Sequence, residues 1–140
     1  MLSHRFEAMG TEVECLVESD SAASAHEAFR AAEAEVRRLE TALSRFSPSS
    51  ELSRLNRERT IAAGDDLLRV VGEALAGRAR TAGRFDPTVH DAVVAAGYDR
   101  TFAEVAAAAE AADGGETRCG GGVRIDRARG CLGHRADLAI

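Results

Sequence analysis

SAHEAFRAAEAEVRRLETAL, residues 24–43, is the stretch on which the fold turns. Phe29, Ala32, Val36, Leu39 and Leu43 recur at spacings of 3, 4, 3 and 4, so they share one face of a helix, with Arg30, Glu33, Arg37 and Glu40 on the opposite face. Ser24 with Glu27 three residues later has the form of a capping box and marks the expected N-cap. Ser47-Pro48-Ser49-Ser50 is loop material, so the helix is expected to stop near Ser44–Phe46. A long helix with one apolar stripe needs a surface to pack on, and the rest of the chain is read for that surface.

On the N-terminal side, Val13, Cys15 and Val17 alternate with Glu12, Glu14 and Glu18, the period-2 pattern of a half-buried strand. Met1–Phe6 runs straight into that pattern and lacks the apolar stretch of a signal peptide. On the C-terminal side, Glu51–Asn56 suits one or two helical turns. A second amphipathic helix follows Gly64, with Asp65 as expected N-cap, Leu67, Leu68, Val71, Leu75 and Ala79 on one face, and an end before Gly83. Val89–Ala96 is a short helix ended by Gly97, and Thr101 with Glu104 caps an Ala-rich helix through Ala112. Val123–Asp126 and Cys131-Leu132 read as short strands around a turn at Arg127–Gly130.

This order gives an α+β fold, helices packed on a mixed or antiparallel sheet, in one domain over residues 1–140. About three strands are foreseen, a small sheet for two amphipathic helices. Residues 136–140 are an apolar run with no polar tail. The expectation is therefore a domain incomplete at its C-terminus.

Composition narrows the function. The formal charge is −5, and every one of the 18 basic residues is arginine, scattered along the chain. An acidic chain without a basic stripe argues against nucleic acid as partner. No apolar run approaches the roughly 18–20 residues of a membrane span, so a cytoplasmic protein is expected. Cys15, Cys119 and Cys131 cannot all pair within one molecule, and neither they nor His4, His26, His90 and His134 have metal-ligand spacing. Phosphate-binding P-loop, GxGxxG and GxSxG motifs are absent.

Three segments carry candidate chemistry. In Gly83-Arg84-Phe85-Asp86-Pro87-Thr88 the proline pushes Asp86 into extended geometry, which directs its carboxylate away from the local chain; the bland alternative is a turn in which Asp86 and Thr88 only cap. Ser44–Asn56 joins Phe46, an aromatic suited to stacking on a planar ring, to hydroxyls and to a helix N-terminus suited to an anion; the bland alternative tucks Phe46 into the core. Met9-Gly10 opens a strand with a soft side chain beside a glycine that admits close approach, or else forms an edge bulge.

Together, Met9-Gly10-Thr11, Leu43-Ser44-Arg45-Phe46 with Ser50-Glu51-Leu52-Ser53-Arg54-Leu55-Asn56, and Thr81–Val89 resemble, in order and spacing, the N-terminal half of the ApbE family, the FAD:protein FMN transferases. The resemblance covers roughly residues 4–140. It implies an α+β fold with flavin in a cleft between sheet and helices, and Mg²⁺-dependent transfer of FMN from FAD to a threonine of an acceptor flavoprotein. By position it implies FAD contacts at Met9, Phe46, Arg84, Phe85, Asp86 and Asp137, and it assigns no catalytic residue and no metal ligand. Phe46 stands where the family often has tyrosine, and Ala139 alone separates Asp137-Leu138 from Ile140 where the family has two small residues. The family's lysine segment and later Asp/Thr metal ligands have no counterpart in the 140 residues, so impaired activity is expected. The alternatives are a non-catalytic flavin-binding module and an interaction fragment.

Overall fold

The computed structural model describes residues 1–100, 104–105 and 121–134. Within these the chain runs β1 (Leu2–Ala8), β2 (Thr11–Val17), α1 (Ala22–Leu43), α2 (Glu51–Glu58), β3 (Thr60–Ala62), α3 (Asp65–Arg80), α4 (His90–Ala95), β4 (Val123–Asp126) and β5 (Cys131–His134). The α+β expectation holds. The strands form two antiparallel sheets, β1-β2 and β3-β5-β4, five strands where about three were foreseen. The expected helix from Thr101 to Ala112 lies, but for Glu104 and Val105, outside the described residues.

The N-terminal hairpin packs on α1. Its inward row, His4, Phe6 and Ala8, alternates with exposed Ser3, Arg5 and Glu7, and Phe6 and Ala8 are buried with Ala25 and Phe29 of α1. His4 stacks on Phe6 and Phe29 at 5.6 and 5.5 Å and meets Glu33 Oε2 at 2.8 Å. The α1 cap falls at Ser21 and not Ser24: the Ser21 hydroxyl accepts the Ser24 N–H at 3.3 Å. Of the foreseen α1 face, Phe29 is buried, and Ala32, Val36, Leu39 and Leu43 are half-buried.

The main core forms where α2 and α3 meet the three-stranded sheet. Leu132 of β5 pairs with Ile61 of β3 on one side and Ile125 of β4 on the other, giving one apolar row across the sheet. Leu55, Ile61, Leu67, Val71 and Leu132 are buried there, with Leu43, Leu68 and Leu75 packed around them. Gly64, not Asp65, is the N-cap of α3 and offers no side-chain bond; Asp65 and Asp66 occupy the first turn, where negative charge suits the helix dipole. At its other end Gly83 N–H reaches Arg78 C=O and Ala82 N–H reaches Ala79 C=O, a Schellman closure with Ala82 at φ 50°.

Candidate functional site

The tip of the β1-β2 hairpin is a two-residue loop, Met9-Gly10, closing the Ala8–Thr11 pair. Both residues have positive φ, 53° and 73°, the signature of a type I′ turn. Nothing lies within 4 Å of a Cβ built on Gly10, so no described part of the chain approaches it closely; its positive φ serves the turn, and a two-residue turn stands in place of the edge bulge. Met9 is the unexpected residue, because the left-handed region disfavours side chains other than Asn and Asp by about 1–2 kcal/mol. The residue is more than half exposed, and its N–H donates to Glu40 Oε1 at 2.6 Å.

Glu40 brings the tip to the end of α1. Beyond the Ser44 C-cap the hydroxyls form a tight connector: Ser44 Oγ accepts the N–H groups of Phe46 and Ser47, while Ser50 Oγ donates to Ser44 C=O and accepts Ser53 N–H. The α2 N-terminus is thus capped by Ser50, and Glu51 on its first turn accepts the Gly64 N–H at 3.2 Å. The Glu51 carboxylate thus reaches across to the N-cap of α3, while at the start of α2 the Ser50 hydroxyl takes up the Ser53 N–H. Phe46 is not tucked into the core; it is 39% exposed. The Arg45 guanidinium carbon lies over both the Phe46 and Tyr98 rings, 4.1 and 4.3 Å from their centroids.

These pieces enclose a cleft of about 380 Å³ lined by Met9, Gly10, Glu40, Leu43, Ser44, Arg45, Phe46 and Tyr98. The structure therefore brings Met9 and Phe46 together. Glu40, Arg45 and Tyr98 join them without having been singled out from the sequence. Tyr98, the sole tyrosine of a tryptophan-free chain, carried the one compositional signal that marked it.

Arg84, Phe85 and Asp86 do not line this cleft. Phe85 lies over Gly77 of α3, where a built Cβ would come within 3.3 Å of its ring, and its N–H donates to Thr81 Oγ1. The Asp86 carboxylate turns back toward the local chain, contrary to expectation. Its Oδ1 accepts both the N–H and the hydroxyl of Thr88, at 2.9 and 2.7 Å, an Asx-type turn. Thr88 is buried and accepts Gly121 N–H at 3.0 Å; Arg78 donates to Gly121 C=O at 2.9 Å and lies 3.6 Å from Asp86 Oδ2. This polar ring joins α3, the 86–88 turn and the entry to β4. Thr88 is not the cap of α4, whose N-cap is Val89. Asp137 lies outside the described residues.

Among the described residues no three of His, Cys, Asp and Glu gather as a metal site. His90 meets Asp91 at 3.1 Å, and Cys15 and Cys131 are unbridged and half-buried; Cys119 lies outside the described residues. No helix among the described residues is long and apolar enough to cross a membrane.

Compared with known proteins, residues 9–133 of the 140 match the model of the ApbE family. No curated protein and no solved structure matches the chain. The match begins at Met9 of the hairpin tip, ends in β5, and spans every described residue of the cleft and of the polar ring: the chain belongs to the ApbE family.

Proposed function

We propose that the cleft between the hairpin tip and the end of α1 receives the flavin of FAD, and that the activity served is Mg²⁺-dependent transfer of FMN from FAD to a threonine of an acceptor flavoprotein. Membership of a flavin-transferase family supports the reading. The observation that carries it is the meeting of Met9 and Phe46, distant in sequence, in one cleft with Tyr98. Met9 is soft, exposed and held in a costly conformation that no core contact requires. Phe46 and Tyr98 add aromatic surface, which suits a planar ring. At about 380 Å³ the cleft falls in the roughly 300–1,000 Å³ range of small-molecule sites.

In this reading Met9 and Phe46 bind and orient the flavin, and Glu40 holds Met9 in place through its backbone N–H. Contacts from Arg84, Phe85, Asp86 and Asp137 remain part of the proposal. So do a cytoplasmic setting and a single domain. The described residues do not by themselves fit a magnesium site, so the ion's ligands are proposed to come from elsewhere. The test is titration of the chain with FAD, followed by flavin fluorescence, for wild type and Phe46→Ala. Saturable binding weakened about tenfold or more by Phe46→Ala is expected; equal affinities would overturn the assignment of the cleft.

A further inference from the structure

Arg45 forms part of the cleft wall as a cation seated over two rings that meet edge to face. Its Nη1 donates to Tyr98 C=O at 2.9 Å, and the Phe46 and Tyr98 rings meet edge to face with centroids 6.0 Å apart. Nη2 is sealed from solvent with no hydrogen-bond partner among the described residues. Leaving a guanidinium donor unpaired is unfavourable, and such penalties persist where a site requires the arrangement. The main core offers no reason for it, since that core is centred elsewhere, on Leu55 and Leu132.

We propose that Arg45 is a positioning residue of the cleft: by clamping Phe46 and Tyr98 into a preset pair it prepares the surface that receives a planar heteroaromatic ring. A cation seated over the faces of both rings, in the corner of their edge-to-face pair, and anchored to the backbone of one removes their freedom to swing before the ligand arrives. This deepens the flavin reading above and rests on it. With Nη1 donating to Tyr98 C=O and Nη2 buried, the role proposed for Arg45 is through the rings rather than through a phosphate. Loss of Arg45 therefore strikes ring binding whether or not the ligand carries phosphate.

With one tyrosine and no tryptophan in the chain, intrinsic emission reports Tyr98 alone. Its anisotropy is measured in the ligand-free full chain for wild type, Arg45→Gln and Arg45→Lys, and each is then titrated with riboflavin, FMN and FAD. Arg45→Gln is expected to lower the anisotropy and to weaken all three ligands alike, by about tenfold. Arg45→Lys is expected to recover part of both effects, since it keeps the charge and loses the planar fork. Unchanged anisotropy in Arg45→Gln overturns the clamp whatever the flavins do. A loss confined to FMN and FAD overturns it in favour of a phosphate contact. If Arg45→Gln does not fold, wild-type affinities in Arg45→Lys overturn it. Failure of wild type to bind any of the three, with the Tyr98 signal still responding to Arg45, overturns the flavin reading and the ring-receiving role but not the clamp geometry.

Discussion

The Met9 N–H donates to the Glu40 carboxylate at 2.6 Å, and this bond fastens the hairpin tip to the last turns of α1. Hairpin and helix are otherwise joined through the Phe6–Phe29 side of the sheet. Glu40→Ala removes the acceptor and is expected to cost about 1 kcal/mol in urea unfolding. Glu40→Gln keeps an amide oxygen able to accept and is expected to lose less than half of that. Equal stability of wild type and Glu40→Ala would mean that the tip is held by the hairpin alone.

Met9 should show stability and binding moving in opposite directions. Asn tolerates the left-handed conformation and Asn-Gly is the favoured type I′ pair, so Met9→Asn is expected to stabilise the chain by about 0.5–1 kcal/mol. The same change removes the thioether surface and is expected to weaken FAD binding about tenfold. Thermal unfolding and FAD titration of this single variant check both signs.

The polar ring at Thr88 makes a separate claim about stability. The buried hydroxyl donates to Asp86 and accepts from Gly121, so Thr88→Val, equal in shape, takes the acceptor from the Gly121 N–H and one of the bonds from Asp86, which keeps the Thr88 N–H. A loss of about 2–3 kcal/mol is expected, with Thr88→Ser much milder because it keeps the hydroxyl. Denaturant midpoints for the two variants decide it.

Acid should weaken the fold in one direction. His4 first, and then Arg37, hold the Glu33 carboxyl below its ordinary range. Arg38 does the same for Glu35 and Asp66, and Arg100 for Asp99. A carboxyl depressed in the folded chain takes its proton more readily when unfolded. These groups therefore contribute above the ordinary carboxylate pKa of about 4, and the contribution is lost as pH falls through their folded values. The pairs are exposed, so each effect is small. The melting temperature is expected to be level from neutrality to about pH 5 and to fall below about pH 4, with Glu33→Gln removing part of the fall. A melting temperature that rose on acidification would contradict the assignment.

Much of the fold was legible because it rests on local periodicity. The 3-4-3-4 spacing from Phe29 to Leu43 and the Leu67–Leu75 face predicted α1 and α3, and Val123–Asp126 with Cys131-Leu132 predicted the last hairpin. β3 escaped because three residues, Thr60–Ala62, are too few to show a period. The caps of α1 and α3 fall earlier than expected because helical backbone already begins at Ala22 and Asp65, which leaves the extended cap positions to Ser21 and Gly64. Within the site, Met9 and Phe46 stood out through the family resemblance. Glu40, Arg45 and Tyr98 did not, since what makes them matter is contact across long sequence separations. Asp86 shows the converse limit: backbone geometry before proline was foreseen, while the side chain followed the nearest donors on Thr88.

The central claim is tested most directly by titrating the chain with FAD, with and without Mg²⁺, while following flavin fluorescence and AMP release together. The account predicts saturable binding that Met9→Asn and Phe46→Ala both weaken, with AMP released only when Mg²⁺ is present and slowly, as expected of an impaired form. Binding without AMP release would reduce the chain to a flavin-binding module. An absence of saturable binding under either condition would contradict the account.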